Sequence, residues 1–89
     1  MIRITAIHMV GTEHHQHIAE MKWLDTSDNG TGASSREAMV KFVREHPNQA
    51  YVDGPTQRAF LRVREADPPY VQTYADGTWT DNLLALPRY

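Results

Sequence analysis

Histidines are the residues in this sequence best suited to chemistry, and three of them fall within four positions. These are His14, His15 and His17, at the start of a stretch in which apolar and polar residues alternate. An imidazole can bind a divalent metal ion, exchange a proton near neutral pH, or hold a turn together through hydrogen bonds. The spacing alone is compatible with a metal site, a catalytic site, a pH-sensitive switch and an ordinary hairpin end.

The two strands that would position these histidines are predicted to form a hairpin. Residues 2–10 and 15–24 each alternate with a period of two, and a turn at 11–14 joins them. In the register that a four-residue turn imposes, His8 stands opposite His17, and the apolar sides of both strands share one face. Directly opposed residues have Cβ atoms about 4.5–5.5 Å apart, so side chains from both strands can reach a common ligand.

This register predicts a face on which three imidazoles could share zinc or another divalent metal ion. The ligands would be His8, His15 and His17, and a three-histidine zinc site leaves a fourth position open for water. A carboxylate that orients a ligand or acts as general base would complete the site; the candidates are Glu13, Asp76 and Asp81. The alternative is structural: the His8–His17 pair closes the end of the core through a hydrogen bond, and the other hairpin histidines face the solvent.

One main helix is predicted in the middle of the chain. It spans about 35–46, because Ser34 and Glu37 fit a capping box and Pro47 prevents the helix from continuing. Spacings of three and four residues give it a buried stripe, formed by Met39, Phe42, Val43 and His46. The polar, glycine-containing stretch 25–34 that precedes it is expected to be a loop.

The second half of the chain is predicted to consist mainly of strands. They are expected at 50–53, at 58–65 and in a hairpin over 70–80. Asp76–Gly77 would supply the positive φ angles of the hairpin turn, and Thr80 would cap a short helical turn rich in leucine. The order strand, strand, helix, strand, strand, strand predicts a single α+β domain over 1–89, with one helix packed on a small antiparallel sheet.

The composition argues against several classes of protein. The chain has 89 residues and no cysteine, which removes disulfides, thiol catalysis and thiolate-bound zinc. Its net charge is −2, and its only basic cluster alternates along the predicted strand 58–65, so nucleic acid is disfavoured as a partner. No apolar run is long enough to span a membrane, and no secretory leader is recognisable, so a soluble cytoplasmic protein is expected.

Four stretches carry a resemblance to a known family. In chain order they read ITAIHM, HQHIAEMKW, SSREAMVKFV and YVQTYADGTWTDNLLALP, and together they cover nearly the whole sequence. On these motifs the chain resembles the small bacterial and phage proteins grouped as domain of unknown function 3892. Members of that family are short, single-domain proteins generally without an assigned activity, so the resemblance implies one domain and no particular reaction. The family's pattern does not include His14, nor His8 although that residue stands within ITAIHM. By the resemblance, seven residues occupy the polar and aromatic positions of the motifs: His15, His17, Trp23, Thr73, Asp76, Asp81 and Asn82.

Three hypotheses for function follow from these observations. The leading one is a small non-enzymatic binding or interaction module, for which the resemblance suggests a phage or mobile-element origin. Its contact surface is expected at the polar end of the first hairpin together with Asp76–Asn82, and its partner is a protein or a small molecule. The second is a metal-dependent hydrolase or nucleotide-processing enzyme that uses His8, His15 and His17. The third is a structural subunit that forms a homodimer through an exposed sheet edge.

Overall fold

Seven strands, one helix and two short 3₁₀ turns make up the fold. The computed structural model describes all 89 residues. In chain order the elements are β1 (Ile2–Met9), a first 3₁₀ turn (His15–His17), β2 (Ile18–Asp25), β3 (Thr31–Ser35), α1 (Arg36–Glu45), β4 (Ala50–Asp53), β5 (Arg58–Arg64), β6 (Tyr70–Ala75), β7 (Thr78–Thr80) and a second 3₁₀ turn (Leu83–Ala85). The predicted α+β class is confirmed. None of the helical segments has the length and hydrophobicity that crossing a membrane requires.

All seven strands belong to one sheet, in the order β3-β2-β1-β4-β5-β6-β7. Neighbouring strands are antiparallel except β1 and β4, which pair in parallel at Ile2–Ala50 and Arg3–Tyr51. The expectation of a wholly antiparallel sheet is therefore wrong for this central pair, and the sheet is mixed. The reason is that α1 carries the chain back across the sheet between β3 and β4, and such a crossover joins strands that run in the same direction.

The register of the β1–β2 hairpin differs from the predicted one. His8 lies opposite Glu20 rather than opposite His17. The connection between the two strands is longer than a four-residue turn, because it includes the first 3₁₀ turn, and β2 begins only at Ile18. Each residue of β2 is consequently displaced along β1 relative to the expected pairing.

A bulge in β1 also breaks the simple alternation of its side chains. The ladder shifts register between Ile4 and Ala6. As a result Ile4 and Ile7, three positions apart, are both fully buried, whereas residues on one face of a regular strand are separated by two or four positions. The pattern of alternate burial predicted for residues 2–10 is therefore wrong beyond the bulge.

The stretch expected to be a loop contains an edge strand. Residues 26–30 form the turn, in which a backbone amide of Ser27 donates to Asp25 and that of Gly30 donates to Asp28. Thr31–Ser35 then pairs with β2 along its whole length as β3. Its small and polar residues have no hydrophobic period, so pairing with the exposed backbone of β2 accounts for this strand better than any side-chain pattern.

The helix α1 is close to its predicted position, but its cap is one residue later. Ser35, not Ser34, is the N-cap, and its Oγ accepts a hydrogen bond from the backbone amide of Ala38 at 3.1 Å. Ser34 is not available as a cap because its Oγ accepts a hydrogen bond from Trp23 Nε1 at 3.0 Å. The helix ends at Glu45, two residues before the proline that was expected to stop it. Of the expected stripe, Met39 and Val43 are buried together with Val40, while Phe42 is half-buried and His46 is exposed.

The C-terminal hairpin forms as predicted, and the segment after it packs differently. Asp76 and Gly77 have φ angles of 53° and 77°, as the tight turn between β6 and β7 requires. Thr80 is the last residue of β7, so it is not a helix cap. Beyond the second 3₁₀ turn, the backbone amide of Ile7 donates to Pro87 and that of Tyr89 donates to Ile7, so the chain end runs alongside β1.

A single hydrophobic cluster fills the space between the sheet and α1, which packs against β2, β3, β5 and β6. Its members come from the helix, from five strands and from the second 3₁₀ turn. They are Ile4, Ile7, Ile18, Met21, Met39, Val40, Val43, Ala50, Val52, Leu61, Val71 and Leu83.

Candidate binding surface

His17 fixes the loop of the first hairpin. Its Nδ1 accepts a hydrogen bond from the backbone amide of Thr12 at 2.9 Å and lies 3.0 Å from the Thr12 hydroxyl. The ring rests against Gly11, where a Cβ atom would approach Nδ1 to 2.9 Å and where φ is +99°. The loop therefore needs both a glycine at 11 and a hydrogen-bond acceptor at the Nδ1 position of His17.

His8 lies elsewhere, on the exposed side of β1. Its Nδ1 is 2.5 Å from the backbone oxygen of Tyr89, and the two rings are 5.7 Å apart. No group of three or more His, Cys, Asp or Glu side chains is arranged to hold a metal ion. The site expected from His8, His15 and His17 is therefore not formed, because the register that would have gathered them is not the register of the hairpin.

His15 is the buried member of the histidine group, with 8% of its surface exposed. It belongs to the first 3₁₀ turn, which packs against β6, and its Nε2 atom is buried without a hydrogen-bond partner. Burial lowers the pKa of His15 below its ordinary value; the nearby charge of Asp81 acts in the opposite direction, while Arg64 and His14 lower the pKa further. The expectation that His15 faces the solvent is wrong.

We expect the stability of the protein to depend on pH through His15. A histidine whose pKa is lower in the folded state stabilises the fold fully above its unfolded value of about 6.5, and that contribution is lost as the pH falls below it. The free energy of unfolding should therefore decline between pH 7.5 and pH 5, by at most about 1.4 kcal/mol per pH unit for a single proton. Urea unfolding at a series of pH values measures this slope.

Two substitutions distinguish the contribution of His15 to the pH dependence from that of a neighbouring histidine. His15→Leu removes the titrating group and should flatten the pH dependence, whereas His14→Gln, at an exposed position in the same loop, should leave most of it in place, because the charge of His14 is the smallest of the effects on the pKa of His15. Equal slopes in the wild-type protein and in His15→Leu would show that the pH dependence arises elsewhere.

The two polar segments of the sequence do meet in space. The first 3₁₀ turn lies on β6, and the charge of Asp81 acts on His15. Beside them is a hydrogen-bonded layer in which the hydroxyls of Thr73 and Thr80 are 2.7 Å apart and Gln72 Nε2 donates to the Thr80 carbonyl at 3.1 Å. Thr73 is completely buried, so this layer joins β6 to β7 rather than offering groups to a ligand.

Asp76 and Asn82 are also engaged within the fold. Asp76 Oδ2 accepts a hydrogen bond from Gln57 Nε2 at 2.5 Å, which ties the β6–β7 turn to the loop before β5. The side-chain amide of Asn82 lies against Gly54, where a Cβ atom would come within 2.8 Å of Nδ2. Glycine at position 54 is therefore what allows the Asn82 side chain to lie there.

Trp23 lies in β2, beside the edge strand β3. Its indole stands over Gly32 of β3, where a Cβ atom would come within 2.5 Å of Cζ2. The hydrogen bond from Nε1 to Ser34 fixes the ring along the same strand. Trp23 thus covers the helix side of β3, and glycine at position 32 is what allows it to do so.

Two grooves flank β3, one on each face of the sheet. The groove on the helix side has a volume of about 270 Å³ and no charged residue in its lining, which is Ile2, Trp23, Ser34, Ala38, Met39 and Phe42. The groove on the outer face has a volume of about 480 Å³, and its side chains on β1 and β2 include two cations, Arg3 and Lys22. Trp23 and β3 separate the two grooves.

The outer edge of β3 has no partner strand. The backbone amide of Asp25 donates to Gly30, and in an antiparallel ladder the peptide groups alternate between the two sides of a strand. Those of Gly32 and Ser34 therefore point towards β2, and those of Thr31 and Ala33 point outwards. The strand contains no charged residue and no proline, which are common means of protecting a free edge.

Sequence reasoning included Trp23 among the candidate binding residues but missed the edge beside it. Gly32, Ala33 and Ser34 carry no reactive groups, and their role depends on a strand that no periodicity predicts. The glycine at 32, directly opposite Trp23 on the neighbouring strand, would have been the available signal only once the β2–β3 pairing was known.

Comparison with known proteins agrees with the resemblance seen in the motifs. The model of the family described as protein of unknown function (DUF3892) matches residues 3–87. The chain belongs to this family. No curated protein and no solved structure gives a significant match.

The motif residues of this DUF3892 protein divide into two groups. His17, Thr73 and Asp76 make hydrogen bonds that hold turns and strands together, and Asn82 packs against Gly54. The others are His15, whose buried Nε2 has no hydrogen-bond partner, Asp81, whose carboxylate is exposed, and Trp23, whose indole lines a groove.

Proposed function

We propose that this DUF3892 protein is a small non-enzymatic binding module whose ligand is an extended polypeptide segment that adds as a strand to β3. In this mode of recognition the main chain of the ligand pairs with a free sheet edge, and pockets on either side accept alternate side chains. β3 offers the free edge, and the outward peptide groups of Thr31 and Ala33 offer the donors and acceptors.

The observation that carries the proposal is the pair of grooves beside that edge. Successive side chains of a strand point to opposite faces of the sheet, so a strand added to β3 would direct them alternately towards the apolar groove at Trp23 and towards the outer groove at Lys22. An unprotected edge alone would pair with any strand. Grooves on both faces give it a means of selecting one.

A partner of different sequence fits this edge better than a second copy of the chain. If β3 paired with itself about Ala33, Gly32 would stand opposite Ser34, and neither residue could fill the apolar groove on the helix side. A segment that carries a larger apolar side chain would fill it. A second copy of the chain is therefore the alternative partner for the free edge of β3. The oligomeric state of the variants described below tests this alternative.

The contact surface proposed here is not the one expected from the polar residues of the sequence. The hairpin end and Asp76–Asn82 supply mostly internal hydrogen bonds, so we retain only Trp23 of the motif residues in the binding surface. The metal-dependent hydrolase finds no support in the placement of His8, His15 and His17.

Proline at position 33 tests the proposal directly. Ala33→Pro removes an amide that points away from β2, so it should block strand addition while leaving the β2–β3 ladder intact. On an array of random ten-residue peptides, wild-type protein and the Ala33→Ser control should select the same peptides, and Ala33→Pro should bind them at least about tenfold more weakly. Circular dichroism and urea unfolding establish that the variant is folded.

A second measurement does not depend on the stability of any variant. Methylating single backbone amides of a selected peptide should weaken binding at every second position, because alternate amides of an added strand face β3. Binding that survives both Ala33→Pro and methylation at every position would overturn the proposal. Light scattering over a dilution series should give a monomer mass; a dimer that Ala33→Pro dissociates would assign the edge to a second copy instead.

A further inference from the structure

The two grooves differ in chemistry, and this difference defines a class of ligand if strand addition to β3 is correct. The groove on the helix side presents aromatic and aliphatic surface, and its one hydroxyl, that of Ser34, already accepts a hydrogen bond from Trp23 Nε1. A polar side chain entering it would exchange several hydrogen bonds to water for at most one or two to Ser34, at a cost in free energy. This groove therefore selects an apolar side chain.

The outer groove favours a negatively charged side chain. Arg3 and Lys22 are the charged residues in its lining, and no carboxylate lines it. Lys22 has no carboxylate within ion-pair distance; its Nζ stands 4.4 Å from the centre of the Tyr89 ring, a contact that leaves the charge uncompensated. Arg3 is held only loosely, at 3.8 Å from Asp53 Oδ2. A carboxylate in this groove would meet two cations, and Asp53, the anion that competes for Arg3, lies outside the groove lining.

The register of β3 determines how the two selected side chains are spaced. Gly32 and Ser34 face the helix side and lie opposite Trp23 and Met21, whereas Ala33 faces the outer side opposite Lys22. A ligand residue beside Gly32 would therefore meet the Trp23 ring, and the next residue, beside Ala33, would point towards Lys22. The side chain of Ala33 is small enough to leave the way to Lys22 open.

We infer that the ligand of β3 is an extended segment in which an apolar residue is directly adjacent to an aspartate or glutamate. The apolar side chain occupies the groove of Trp23, Met39 and Phe42, and the carboxylate occupies the groove of Arg3 and Lys22. This inference rests on the proposed strand addition and adds the chemistry of the partner to it.

Four labelled peptides test the inference with the full-length protein. Each has ten residues of serine and threonine around a central pair, which is Leu–Glu, Leu–Gln, Leu–Lys or Ser–Glu. Fluorescence anisotropy at low salt should give the tightest binding for Leu–Glu. Leu–Lys should bind about five- to tenfold more weakly, because an attraction is replaced by a repulsion at a partly exposed site, and Ser–Glu should bind more weakly still.

Two charge-reversal substitutions, one in the outer groove and one elsewhere, provide a test variant and its matched control. Lys22→Glu should abolish or invert the preference for Leu–Glu over Leu–Lys, whereas Lys41→Glu, an equal change of charge on the exposed side of α1, should preserve it. The preference should also shrink at 0.5 M salt, where charges on a surface are screened over a few ångströms.

These measurements test the preference for an acidic residue separately from strand addition to β3. If Leu–Glu and Leu–Lys bind equally while Ala33→Pro abolishes both, strand addition stands and the acidic preference is wrong. If Lys22→Glu keeps the wild-type preference, the carboxylate does not lie in the outer groove and the inference is again wrong. If none of the peptides binds, or if Ala33→Pro binds them as well as the wild-type protein does, both the inference and the proposed strand addition are overturned.

Discussion

Replacing Gly32 with alanine is expected to destabilise the protein by about 1–3 kcal/mol and to displace Trp23, although the substitution adds a single methyl group. A Cβ atom at position 32 would lie 2.5 Å from Cζ2, 2.9 Å from Cη2 and 3.0 Å from Cε2 of the indole. Three ring atoms are overlapped at once, so the ring has to move as a unit. That movement would also break the hydrogen bond between Nε1 and Ser34. Urea unfolding followed by circular dichroism measures the loss.

A double-mutant cycle shows whether the cost arises from the indole. In a Trp23→Leu background the overlapping ring is absent, and Gly32→Ala should then be neutral or should stabilise by about 0.5–1 kcal/mol, since alanine has less conformational freedom to lose on folding than glycine. The change of sign between the two backgrounds is the expected signature. If Gly32→Ala destabilises the protein equally in the wild-type and Trp23→Leu backgrounds, the backbone at position 32, and not Trp23, requires glycine.

Local signals in the sequence were sufficient for the elements that depend on local chemistry. Asp76–Gly77 predicted the tight turn between β6 and β7, because both residues tolerate positive φ angles. Serine before the helix and Pro47 after it bounded α1 to within about one residue at each end. These predictions succeeded because a few adjacent residues determine the backbone conformation.

Pairing between distant segments was less predictable. The register of β1 on β2 depends on the 3₁₀ turn at His15–His17, which packs on β6, and on a bulge between Ile4 and Ala6. Neither the 3₁₀ turn nor the bulge can be predicted from the alternation of apolar and polar residues in the two strands. The parallel pairing of β1 with β4 likewise results from the direction in which α1 returns the chain, so it requires the whole fold.

The candidate binding surface was also hard to predict from the sequence. Trp23 was selected because the family resemblance places it at an aromatic position of the motifs, but Gly32 and Ala33 carry no chemistry, and they matter only as the edge of a sheet. His15 was noticed for its spacing, yet it is buried by packing on β6, far along the chain, and this burial lowers its pKa against the opposing charge of Asp81. Residues that act through their backbone or their surroundings escape a search based on side-chain type.

Truncating Leu83 to alanine is expected to have the largest effect of any single change in the C-terminal motif, a loss of about 2–5 kcal/mol in the free energy of unfolding. Leu83 has no exposed surface and belongs to the main hydrophobic cluster, although it lies in a short 3₁₀ turn near the end of the chain. Domains of this size are stabilised by only about 5–10 kcal/mol in total. The variant should therefore unfold at a much lower urea concentration than the wild-type protein.

Leu84→Ala is the matched control, because the adjacent leucine loses the same atoms from a half-buried position. It should cost distinctly less than Leu83→Ala, in proportion to the smaller area that it buries. A large difference would mean that the motif containing these leucines is retained for packing, which agrees with a binding surface at β3 on another part of the molecule. Similar and small losses for both variants would mean that the 3₁₀ turn can detach at little cost. The C-terminal motif, with Asp81 and Asn82 beside it, would then again be a candidate contact surface.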